Sequence, residues 1–140
     1  MFQKILLAYD GSTGAKRALD VALTLARAFH AELWALLVDE LLPQDVATMG
    51  EVQEEQVAAD RSLQATLSVA YVHALHAGVE LKSAIRAGDT IRAIVEFTKE
   101  GGFDLVVLGQ SRRSEAWVLL LGTTRERVIK RMPCSVLVAQ

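Results

Sequence analysis

The sequence alternates from end to end between short apolar runs and longer segments whose apolar residues recur at helical spacing. Ile5-Leu6-Leu7-Ala8-Tyr9 is an unbroken apolar run, followed by the turn residues Gly11 to Gly14. Ala15, Ala18, Leu19, Ala22, Leu25, Ala26 and Phe29 then share one helical face. Leu33 to Val38 is a second run, closed by Asp39-Glu40. Continuous apolar runs, rather than alternating ones, are the mark of strands covered on both faces. Strands that alternate with helices predict an α/β fold: an open parallel sheet with helices on both faces.

The remainder keeps the rhythm. Residues 41 to 77 read as a loop holding Pro43 and Gly50, then a long helix through Val57, Leu63, Leu67, Val69, Val72 and Leu75 that ends at Gly78. Val79 to Ile85 is expected to be the third strand. Gly88-Asp89 turns into a helix carrying Ile91, Ile94 and Val95, and Gly101-Gly102 stops it. Leu105 to Leu108 is the fourth strand and leaves at Gly109. A loop of about a dozen residues follows, Gln110 to Leu121, a length often tied to function. The last helix begins near Gly122-Thr123, where Thr123 and Glu126 have capping-box spacing. Pro133 ends it, and Ser135 to Ala139 is the fifth strand. The 140 residues fit a single domain spanning 1–140.

Charge narrows the function classes. The net charge of −2 gives no reason to expect a nucleic-acid partner. Between Gly109 and Arg131, however, Arg112, Arg113, Arg125, Arg127, Lys130 and Arg131 face only Glu115 and Glu126. A local basic field on an acidic body suits one anionic ligand, although Arg127, Lys130 and Arg131 also read as a solvated helix face. The lone Cys134 excludes an internal disulfide and reads as a small buried hydrophobe. No run approaches the roughly 18 apolar residues of a membrane span, and the start carries no signal-peptide pattern. The expected location is the cytoplasm, with no membrane partner.

In parallel sheets, ligands bind beyond the carboxyl ends of the strands where the strand order reverses. That rule points to Asp10, Asp39, Gly88 and Gly109. Gly109-Gln110-Ser111-Arg112 leaves a strand, and Gly122-Thr123-Thr124 opens a helix. A helix start offers unpaired N–H groups and partial positive charge to phosphate, and glycine lets the backbone come close. The same residues also fit a plain strand exit and an ordinary N-cap.

These residues carry a resemblance. Lys4 to Ser12, Leu37-Val38-Asp39, Gly88-Asp89-Thr90-Ile91, Leu105 to Gly109 and Pro133 to Val138 together resemble the universal stress protein family over essentially the whole chain. The resemblance implies a Rossmann-like three-layer fold of the adenine-nucleotide α-hydrolase type, with five parallel strands. Members that bind ATP carry Gly, two residues, Gly, nine residues, then Gly and Ser or Thr. Gly109, Gly122 and Thr123 match, but Arg112 stands at the second glycine. Arg112 could obstruct the approach of backbone to phosphate, or pair with the triphosphate through its guanidinium. The intact loop length and Gly122-Thr123-Thr124 favour retained binding.

By the same resemblance, the ligand is ATP with Mg²⁺. Asp10 is the acidic residue near the phosphates and the cation, and Leu37 meets the adenine through its backbone. Ala8 and Tyr9 lead into Asp10, and Tyr9 either flanks the base or packs in the core. Gln110, Ser111 and Thr124 complete the set. A homodimer through Ser135 to Ala139 is also implied. The expected function is a non-catalytic, ATP-binding regulator of the stress response, with slow hydrolysis at most. A second reading is an interaction module that has lost nucleotide, and a third a small hydrolase using Asp10 and Asp39. His73 and His76 share a helix face but lack further ligands for a metal. Glu54, Glu55 and Asp60 read as a solvated face, and Trp34 as core. Trp117 could cover a ligand, meet a partner subunit or pack in the core.

Overall fold

The computed structural model describes residues 1–39, 49–109 and 131–140, with residues 49–60 as backbone only. Along the chain run β1 (Lys4–Ala8), α1 (Thr13–Phe29), β2 (Glu32–Asp39), α2 (Met49–Ala77), β3 (Leu81–Ala87), α3 (Thr90–Gly101), β4 (Leu105–Gly109) and β5 (Ser135–Ala139). The strands form one parallel sheet in the order β3-β2-β1-β4-β5. The expected loop Gln110 to Leu121 and most of the expected last helix lie outside the described residues, as do Pro43 and Trp117.

The period-2 geometry of the central strands divides the core into two layers. Ile5, Leu7 and Tyr9, with Leu33, Ala35 and Leu37, face α1 and α2. Leu6, Ala8, Leu36, Val106 and Leu108 face α3, joined by Phe103 and Met132. Both faces of β1 and β4 are therefore buried, which explains their unbroken apolar runs. Trp34 is only half-buried. It packs edge-on against Phe97 and Phe103, and its Nε1–H donates to Glu32 Oε1 at 3.0 Å. Cys134 is likewise half-buried, packed on the α3 side, and desolvation raises its thiol pKa.

Three boundaries differ from expectation, the first being that α2 begins at Met49, so that Gly50, expected in the preceding loop, lies inside the helix. The third strand runs from Leu81 to Ala87, two residues later than Val79 to Ile85. Gly78, at φ +71°, ends α2, and the Val79 N–H is committed to the Ala74 carbonyl at 2.9 Å. At the far end, pairing of Val38 with Arg86 and Asp39 with Ala87 extends the strand. The first helix starts at Thr13, inside the expected turn. Ser12 is extended (φ −67°, ψ 165°), and its hydroxyl accepts the Ala15 N–H at 3.1 Å, an N-cap.

Candidate functional site

β1 is flanked by β2 on one side and β4 on the other, while the chain steps outward from β1 to β3 and then crosses to β4. The strand order thus reverses between β1 and β4. The helix that follows β1, α1, packs on one face and the helix that precedes β4, α3, packs on the other, and at such a switch point the carboxyl edge is where ligands bind. β1 reaches this edge with Ala8, Tyr9 and Asp10, and β4 with Gly109. The Tyr9 N–H donates to the Leu36 carbonyl at 3.0 Å, tying the exit of β1 to β2 just before Leu37. Ala8, Tyr9 and Leu37 are buried, and Asp10 is exposed.

Asp10 follows the end of β1 and prepares the helix. Its Oδ1 accepts the Ser12 N–H at 2.9 Å across Gly11, whose φ of +78° only glycine takes without strain. The turn is covered by α2: a Cβ on Gly11 would lie 2.8 Å from Thr66 Cγ2. Asp10 therefore presents its carboxylate beside the positive end of α1.

Gly109 is required by α1. A Cβ there would overlap the Gly14 carbonyl and lie 2.9 Å from Ala15 N. The sequence suggested a glycine that clears a path to phosphate. The structure gives it another partner, the first turn of α1 packed onto the end of β4. Thr66 over Gly11 and Gly14 against Gly109 are contacts that sequence reasoning missed. Only the presence of glycine at each position hinted at them.

Further along the same edge, the Gly88 N–H donates to the Asp39 carbonyl at 3.0 Å, at a φ of +117°. Asp89 caps α3 by accepting the Arg92 N–H at 3.0 Å. The structure thus gathers Ala8, Tyr9, Asp10, Leu37 and Gly109 at one edge. Gln110, Ser111, Arg112, Gly122, Thr123 and Thr124 lie outside the described residues. Asp39 is largely buried at the end of β2. His73 and His76 are exposed on α2, and no group of three or more potential metal ligands occurs among the described residues. No described helix is long and apolar enough to cross a membrane.

An open, parallel, doubly wound sheet with a crevice at its switch point defines a class of α/β ligand-binding proteins. Within it, the universal stress protein family model matches residues 1–140, and the chain belongs to that family. A universal stress protein of Thermus aquaticus is 32% identical, with 100% of both chains covered. The universal stress protein UspA from Lactobacillus plantarum superposes with a TM-score of 0.82 at 25% identity, covering 99% of this chain and 98% of that one. A universal stress protein solved in complex with cAMP superposes at 0.72 with 26% identity, covering 99% and 97%.

Proposed function

We propose that this chain binds an adenine nucleotide, ATP with Mg²⁺, in the crevice between β1 and β4 and acts as a non-catalytic regulator in the stress response. The observation that carries the reading is the exposed Asp10 carboxylate beside the start of α1 at the switch point, with Gly109 opposite. The residues present fit the group. A carboxylate is the hard oxygen ligand that Mg²⁺ accepts, and the helix start favours phosphate. A relative of this fold, 26% identical, is solved with the nucleotide cAMP. On this reading Ala8, Tyr9, Asp10, Leu37 and Gly109 form the wall contributed by the ends of β1, β2 and β4. Gln110, Ser111, Arg112, Gly122, Thr123 and Thr124 supply the loop and helix start that hold phosphate. The chain works as one cytoplasmic domain and pairs with a second copy through β5.

Arg112, at the motif's second glycine, favours a second reading: an interaction module that has lost nucleotide. Calorimetric titration of Mg-ATP into wild type and Arg112→Gly separates the two. Saturable heat from wild type is expected. Silence from wild type with binding by Arg112→Gly would reject the first reading and support the second.

A further inference from the structure

The second half of α2 turns an uncharged, apolar stripe outward. From Ser62 to Val79 no Asp, Glu, Lys or Arg occurs, and the ionisable side chains there are Tyr71, His73 and His76. Leu67, Ala70 and Ala74 are buried on the inner face, while Ala65, Ser68, Val72 and Leu75 are exposed on the opposite one. These four follow one another at intervals of three, four and three residues, the spacing of a coiled-coil seam. Among the described residues, the exposed large apolar side chains other than Met1 are Val69, Tyr71, Val72 and Leu75, all on this helix. Apolar residues gathered on one exposed face from which charge is excluded mark a surface that meets protein.

We propose that this face of α2 docks on the same face of a second copy of the chain, with the two helices antiparallel. The seam is self-complementary in that orientation. Antiparallel layers set Val72 of each copy over Ser68 of the other, and Leu75 over Ala65, so that large side chains meet small ones. The same register carries Arg61, one turn before Ala65, to the far end of the other helix, where Glu80 stands just past Gly78. Both residues are exposed. Parallel pairing would instead set Arg61 against Arg61. The opposite charges at each end fix the register more than they supply affinity. Such a contact is isologous and closes on two copies. The Tyr71 hydroxyl ties this helix to Ser83 of β3, and β3 and β5 are opposite edges of the sheet. Docking through α2 therefore does not compete with pairing through β5. A patch this narrow associates weakly, so the contact belongs to high protein concentration.

Sedimentation velocity follows the mass from micromolar to near-millimolar chain. The wild-type mass is expected to double across that range, whatever its value at the low end. Val72→Glu, at a site 54% exposed and so tolerated by the fold, is expected to abolish the doubling. Arg61→Glu and Glu80→Arg each set like charges together at both ends and weaken association, and the double variant restores it. A wild-type mass that does not change with concentration overturns the proposal. Doubling that persists unchanged in Val72→Glu also overturns it, because the contact then lies elsewhere. Single charge variants that associate as wild type does, or a double variant that recovers nothing, overturn the antiparallel arrangement. No nucleotide enters the measurement, so failure of the nucleotide reading leaves this inference standing.

Discussion

A methyl group on Gly109 would overlap the Gly14 carbonyl, so one missing side chain lets α1 sit against the end of β4. Gly109→Ala has to push the helix away or distort the strand, and overpacking of this kind costs about 1–3 kcal/mol. Urea unfolding without nucleotide is expected to show that loss. Wild-type stability in Gly109→Ala would mean that the contact yields and that the glycine is there only for a ligand. Asp10 and Ser12 are more legible from sequence alone. Their neighbourhood of Gly11 and the apolar helix face that follows already marks a turn and a cap. The Gly14 and Thr66 contacts were not legible, because their partners are distant in the chain and glycine carries no side-chain signal of what lies next to it.

α2 shows the same division at the scale of an element. Its apolar residues spread around the helix, so periodicity alone does not choose the inner face. The structure buries Leu67, Ala70 and Ala74, with Leu63 half-buried, and leaves Val69, Val72 and Leu75 exposed. The small Ala70 and Ala74 allow close approach to the layer it shares with α1, an advantage that a count of large apolar residues overlooks. Leu67→Ala is expected to cost about 2–5 kcal/mol, since the side chain is 3% exposed. Leu75→Ala, at a site 78% exposed, should stay within about 0.5 kcal/mol. Chemical denaturation of the two variants checks the assignment, and comparable losses would reverse it. The helix ends were easier to read. Gly78 and Gly102, at φ +71° and +66°, occupy the C-terminal positions that the sequence marked with glycine.

At the scale of the whole molecule, the sheet ends in β3 on one side and β5 on the other. An unpaired edge strand offers a template for a second chain. The β3 edge carries polar anchors: Lys82 Nζ donates to Glu32 Oε1 at 2.6 Å, and the Tyr71 and Ser83 hydroxyls are hydrogen-bonded at 2.6 Å. Val136, Leu137 and Val138 on β5 are half-buried and apolar. The proposed pairing of two copies would therefore run through β5, and it predicts that light scattering at micromolar concentration gives the mass of two chains. A monomer mass at every concentration would reject it.

The sequence by itself determined the fold class. Buried parallel strands need unbroken apolar runs, helices need a face, and both patterns are local and periodic. It also placed Asp10, Gly88 and Gly109 at strand exits, because a run that stops at a turn residue is a local event. Only the tertiary structure decided the strand order, and with it that β1 and β4 flank the switch point. It alone showed that Gly109 answers to α1 and that, among the described residues, the Tyr9 hydroxyl is buried without a partner. Those facts depend on pairings between distant segments, and an individual residue carries no record of its neighbour across the sheet.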